Sequence, residues 1–187
     1  VRYDRAPMEV FARFPEWAAL KLNTYAKSDV VFISLRGSDP DLFRGVDPGK
    51  QDAEVRASRE PLREYHKRLT TMGFKWTIAG VPTAGWAGKV YPAINRQVAV
   101  TRLWDAVFET VRIGDGDAYA KWMAHAADLK QRCETLNGWQ FRTLHYENSL
   151  GTDFTVGLVE NHRFEGGADR DPADGSPFFA NMPTEEV

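Results

Sequence analysis

The chain has 187 residues, of which 43% are hydrophobic, 27% charged and 12% aromatic, which excludes a disordered or collagen-like chain. Its 24 basic and 26 acidic side chains leave a net charge of -2, so no global basic field supports a nucleic-acid role. A single cysteine, Cys133, excludes an internal disulfide framework and a cysteine-built zinc site.

Length allows one good core or two small ones. The longest apolar runs, such as Val30 to Leu35, are far too short to span a bilayer as a helix. No signal-type segment follows Val1, and no terminal helix or polar tail precedes Val187, so the chain is expected to be part of a longer protein.

Apolar residues at Val10, Phe11, Phe14, Trp17, Ala18, Leu20, Leu22 and Tyr25 recur at spacings of mostly three and four, which predicts a helix or broken helix over residues 8 to 27. Pro15 is expected to open a new helical turn. The branched run Val30 to Leu35 reads as a buried parallel strand. Arg36 to Gly49, with Asp-Pro pairs at 39–40 and 47–48, reads as a loop. Gln51 to Met72 is polar and predicts a solvated helix, with Pro61 as the place for a new turn and Gly73 as its cap. Lys75 to Gly80 is a second strand, and the order strand, helix, strand predicts a parallel pair.

Val81 to Pro92 is rich in Gly, Pro and aromatics and reads as a loop. Helices are expected at Ile94 to Val111 and Asp117 to Leu136, the second capped by Asp115 or Asp117 and ended by Asn137-Gly138. Trp139 to Tyr146 and Thr152 to His162 alternate apolar and polar residues, as half-buried antiparallel strands do. Gly166 to Pro177 is a loop, and Phe178 begins another extended stretch. The fold class that follows is α/β. A Rossmann-like parallel-sheet unit with flanking helices spans 1–137, and the antiparallel opening strands of a second domain span 138–187.

Chemistry-bearing residues are sparse. Gly45 to Lys50 and Gly80 to Gly85 both miss the phosphate-loop pattern, by spacing in the first and by Trp86 in place of lysine in the second, so these are turn glycines. His66 sits in a polar helix and is expected at the surface. His125 is mid-helix near Trp122 with no second histidine at helical spacing. Glu160 and His162 would share a strand face and could bind a metal, although a hydrogen-bonded face is the favoured reading. Cys133 reads as a buried structural thiol. The six tryptophans read as core, with Trp86 the exception to watch because of its Gly-rich surroundings. Glu185 and Glu186 are adjacent on an extended stretch, so they point to opposite faces and at most one faces a given pocket. Such a carboxylate is either a solvated strand end or a ligand for a divalent ion.

The run Ile78-Ala79-Gly80-Val81-Pro82-Thr83, then Trp86-Ala87 and Tyr91-Pro92, resembles the thermophilic metalloaminopeptidase family (aminopeptidase T, AmpS and PepS types). The resemblance continues through Leu103-Trp104, Asp117, Trp122, His125, Leu144-His145-Tyr146, Gly151 to Leu158, Glu160-Asn161-His162 and Gly166-Gly167. It reaches Asn181-Met182-Pro183-Thr184-Glu185-Glu186-Val187 and holds in order and spacing over about residues 75 to 187. Val159 and Phe154 depart from the family pattern only by apolar exchange.

The resemblance implies a cytoplasmic homodimeric exopeptidase that removes N-terminal amino acids from peptides. It implies two divalent metal ions (Zn, Co or Mg), which would activate a bridging water and polarise the scissile carbonyl. The last motif matches the family segment that supplies one metal-binding glutamate, and that ligand is matched to Glu186. The remaining ligands and the general base lie downstream in the family, and an N-terminal strand and helix precede the matched part. The 187 residues by themselves are therefore expected to be inactive, with 138–187 as the start of the metal-binding catalytic domain. An exposed apolar patch is expected where further polypeptide would dock. His145 and His162 are expected to hold the sheet and its neighbouring loop, and Thr152 and Asp153 to order the turn between strands. The alternative is a non-catalytic α/β binding or assembly module. A nucleotide binder is disfavoured by the failed phosphate loops.

Overall fold

A computed structural model describes residues 2–28 and 30–183. Two short helices, α1 (Arg2–Arg5) and α2 (Met8–Phe11), precede α3 (Glu16–Lys27). Pro15 stands immediately before α3 with extended ψ of 127°, and its carbonyl accepts from Ala18 and Ala19, so the predicted break falls there. Strand β1 (Val31–Arg36) follows, then α4 (Pro48–Arg59) and α5 (Arg63–Thr70). Asp47 caps α4 by accepting from the Gly49 N–H at 2.8 Å, with Pro48 in the first turn. The polar stretch is thus two helices broken near Pro61. Gly73 is not the left-handed cap: Met72 takes φ of 51°, while the Gly73 N–H reaches back to the Arg68 carbonyl at 2.7 Å.

Strand β2 (Lys75–Gly80) pairs parallel with β1 in the register Val31 to Lys75 through Arg36 to Gly80. The connection after β2 is more ordered than its Gly and Pro content predicts. It forms α6 (Ala84–Val90), capped by the Thr83 hydroxyl, which accepts from the Trp86 N–H. A cap and an apolar face at Trp86, Ala87 and Tyr91 outweigh the two glycines, because that face packs on α7 (Arg96–Thr110) around buried Ala87, Ala99 and Leu103. Trp86 is therefore partly buried against this cluster, whereas Trp17 and Trp139 are largely exposed, against the core reading.

The long helix α8 (Ala118–Trp139) is capped by Asp117, whose carboxylate accepts from the Tyr119 and Ala120 N–H groups at 2.9 and 3.2 Å. It runs past Asn137-Gly138 and ends at Gln140 in the left-handed region. Asn137 does not stop the helix but ties it to a later segment. Its amide donates to the Phe164 carbonyl at 2.9 Å and accepts from the Phe164 N–H at 2.8 Å.

Strands β3 (Thr143–Glu147) and β4 (Asp153–Gly157) form an antiparallel hairpin. Nearly all of its residues are exposed, so the expected half-burial is absent among the described residues. The hairpin turn is ordered by Asn148, which accepts from the Leu150 and Thr152 N–H groups, rather than by Thr152 and Asp153. A second small hairpin joins β5 (Asp169–Arg170) to β6 (Pro177–Phe178). Strand β7 (Asn181–Met182) then returns to lie parallel to β2, so the main sheet has the order β1-β2-β7.

One face of the main sheet is covered by an aromatic group. Phe32 meets Tyr25 of α3, Tyr65 of α5 and Phe74 at ring separations of 6.2, 5.9 and 5.1 Å. The other face of β1 is open: Val31, Ile33 and Leu35 are 62%, 67% and 67% exposed. The strand is therefore covered on one side only, and none of its residues is fully buried, against the expectation from its unbroken apolar run. No helix among the described residues is long and apolar enough to cross a membrane.

Candidate functional site

Strand β7 leads directly into the segment Thr184 to Val187, which carries Glu185 and Glu186 and lies outside the described residues. Beside β7 opens a groove of about 810 Å3. It is walled by Trp76 of β2, by Met123, Ala126 and Lys130 of α8, and by the segment from Arg163 to Arg170. Asn181 of β7 lies on its rim.

Three local devices build these walls. The Asn137 amide clamps Phe164 and so fixes the start of the 163–170 segment against α8. Gly167, at φ of 90°, lets the backbone press onto that helix; a Cβ there would sit 3.3 Å from the Ala126 carbonyl oxygen and 3.5 Å from the Leu129 Cβ. The β5–β6 hairpin is tied to β2 by Lys75, whose ammonium lies 3.1 Å from Asp171 and 2.9 Å from Asp174. Asp171 is buried and accepts from the Ala173 N–H at 2.7 Å, so its charge is partnered on both sides. Hydrogen bonds from Ser176 and from Lys75 hold the Asp174 carboxyl below the usual range. The Asp174 and Asp171 carboxylates push the Lys75 ammonium up.

The groove carries both signs of charge. Arg163 and Glu165 face each other at 3.6 Å and both are largely solvated. Arg170 donates to the Gly175 carbonyl at 2.9 Å. Asp169 has no side-chain hydrogen bond or ion pair among the described residues; burial, and then the nearby Glu165 charge, push its carboxyl up. The Trp76 indole nitrogen is fully buried and has no hydrogen-bond acceptor among the described residues. A groove lined by a carboxylate without a partner among the described residues is a place for a polar ligand.

The sequence-level candidates are scattered. His66 is exposed on α5, as expected. His145 bonds across the β3–β4 hairpin, 3.3 Å from the Thr155 hydroxyl and 3.1 Å from Asp153, which is the sheet-holding role. Glu160 and His162 lie beyond the end of β4 in irregular chain, so the shared strand face does not exist. His162 instead bonds the Val159 carbonyl at 3.0 Å and meets the Phe164 ring edge-on. His125 lies against Trp122, which donates to the Val111 carbonyl at 2.8 Å and packs on Phe179. Cys133 is a buried free thiol pushed up by burial. Glu186 lies outside the described residues. Among the described residues no group of three or more His, Cys, Asp or Glu is placed to hold a metal ion, so those residues by themselves do not make a metal centre. The groove itself is not visible by reading along the chain. Its Trp76 and Asp169 are 93 positions apart and line one groove because Lys75 ties the β5–β6 hairpin to β2 and β7 pairs with β2.

An α/β chain whose parallel sheet receives a late strand next to a mixed-charge groove has a clear set of relatives. The chain belongs to the thermophilic metalloprotease (M29) family, which it matches over residues 1–187. It is similar to aminopeptidase AmpS of Bacillus subtilis (strain 168), 34% identical over 187 residues, covering 100% of this chain and 45% of that one. Aminopeptidase T of Thermus thermophilus is 32% identical over 186 residues, with the same coverage of 100% and 45%. The fold matches the solved structure of wild-type AmpT from Thermus thermophilus with a TM-score of 0.86 and 31% identity, over 98% of this chain and 44% of that one. The chain thus spans less than half the length of the relatives it matches.

Proposed function

We propose that the protein is a metal-dependent aminopeptidase that hydrolyses N-terminal amino acids from peptides. The observation that carries this reading is the family match along the whole chain, joined by relatives that are named as aminopeptidases. In this reading residues 1–137 are a Rossmann-like α/β unit, and 138–187 open the metal-binding catalytic domain. Glu186 supplies one carboxylate to a dinuclear site of divalent ions, Zn, Co or Mg. Other ligands come from outside the described residues, which hold no cluster of three or more potential ligands. The enzyme is cytoplasmic and works as a homodimer on peptide substrates. The 187 residues alone are inactive, because a catalytic metal needs at least about three protein ligands.

The test is release of the N-terminal residue from Leu-Gly-Gly by the protein purified from its source. We expect release to stop with a chelator and to return when a divalent ion is added back. Release that persists in chelator overturns the reading. Metal-dependent release by the 187-residue chain on its own overturns the claim of inactivity.

A further inference from the structure

We propose that the groove beside β7 is a subsite for a basic side chain of the peptide substrate, with Asp169 as its charge partner and Trp76 as its wall. This rests on the peptidase reading above and goes beyond it by naming what the groove selects.

Three observations meet in one place. First, the groove is large enough for a substrate side chain and its flanking backbone, at about 810 Å3. Second, its unmatched carboxylate is complementary to one kind of ligand. Trp76 forms a wall of the groove, with its indole N–H buried out of a ligand's reach. The Asp169 carboxylate has no partner among the described residues, and an ammonium or guanidinium supplies one. Third, Met72, Met123 and Ala126 give the groove an apolar lining for the methylene stem that carries such a head group.

The groove's own cations do not cancel this. Arg163 is 76% exposed and faces Glu165, Lys130 is 75% exposed with Glu134 at 4.0 Å, and Arg170 is engaged by the Gly175 carbonyl. Solvated charges of this kind are screened. Asp169 is the desolvated one, since burial is the first cause that pushes its carboxyl up. A cation seated against it relieves that penalty.

Position along the substrate also follows. Asn181 lines the groove and precedes Glu186 by five residues, so the chain cannot separate them by more than about 18 Å. A substrate peptide extends by the same rise per residue. The substrate positions within that reach run from the second to about the fifth, after the scissile bond.

The experiment uses the protein purified from its source and peptides with a leucine N-terminus. Each carries one lysine, norleucine or glutamate at the second to fifth position, and kcat/KM is measured for each. We expect lysine to exceed norleucine by about tenfold at one position. In Asp169→Asn the lysine-to-norleucine ratio at that position falls to near one. Asp169→Glu keeps part of the preference, which a purely structural role for Asp169 would not. Equal rates for lysine and norleucine at every position overturn the inference and leave the peptidase reading standing. So does a lysine preference that survives in Asp169→Asn, or a preference for glutamate. No release from any peptide overturns the peptidase reading, and the inference with it.

Discussion

Gly167 shows how closely one residue can fix this groove. Its φ of 90° is outside the range that side-chain-bearing residues favour, and the Ala126 carbonyl oxygen stands 3.3 Å from where a Cβ would be. Gly167→Ala therefore combines backbone strain with a contact that pushes the 163–170 segment off α8. We predict a loss of about 1–3 kcal/mol in stability, measured by denaturant unfolding. Unchanged stability would mean that the segment is free to move away from the helix. Gly37 is constrained differently: a Cβ there would lie 2.2 Å from the Val81 carbonyl oxygen, so the chain after β1 can pass close to the chain after β2 only without a side chain. Neither requirement is legible in the sequence. Gly-Gly at 166–167 reads only as a turn, because the helix it presses on is remote in the chain.

At the scale of elements, the β5–β6 hairpin depends on Lys75 bridging Asp171 and Asp174. Asp174 is held below its ordinary value of 3.8, so its contribution is complete above that pH and is lost as pH falls through the lower folded value. Lys75 is held above its ordinary 10.5, so its contribution is complete below that pH and is lost as pH rises through the higher folded value. Thermal unfolding followed against pH should lose stability at both limits. Asp174→Asn should flatten the acid limb below pH 3.8, and Lys75→Met the alkaline limb above pH 10.5. Limbs identical to those of the unmodified protein would show that the bridge does not anchor the hairpin.

The same scale shows what the sequence discloses. Helix starts with a capping residue and breaks at proline are legible: Asp117 opens α8, and Pro15 and Pro61 mark the breaks, whereas Asn137-Gly138 does not end α8. The parallel pairing of β1 and β2 is also legible, from strand, helix, strand order. The features that escape a reading of the sequence depend on tertiary contact. The helix α6 forms in a Gly-rich stretch because its apolar face packs on α7. The strand expected to carry Glu160 and His162 stops at Gly157. The Glu185-Glu186 alternation is legible as a statement that only one of the two faces a given pocket, and strand geometry alone does not choose between them.

At the scale of the whole molecule, the accessible surface is 13338 Å2, against about 9,000 Å2 for a compact monomer of 21.1 kDa. Part of the surplus is apolar and organised, as in the open row Val31, Ile33 and Leu35 on the edge strand β1. An open apolar face of this kind is a surface for association. We predict that the 187-residue chain in isolation self-associates in sedimentation, and that Ile33→Lys shifts it toward monomer. Monomeric behaviour of the unmodified chain at high concentration would show that the row does not drive association. An unbroken apolar run reads as buried on both faces, which is how such runs pack when both sides of a sheet are covered. Among the described residues only the Phe32 side is covered. The family is legible because its motifs sit in the turns and caps around Gly80 to Thr83 and in the 181–187 run, where spacing along the chain is preserved.

The central claim is that this chain gives one carboxylate to the metal centre of an aminopeptidase. The most direct measurement is metal content per chain together with N-terminal residue release, in Glu186→Gln and Glu185→Gln side by side, using the protein purified from its source. We predict that Glu186→Gln loses metal affinity by more than about 100-fold, beyond the loss typical of a residue that only supports a ligand, and loses release with it. Glu185→Gln keeps both, because the family's metal-binding glutamate is matched to Glu186 and not to Glu185. Full metal content and release in Glu186→Gln would contradict the claim.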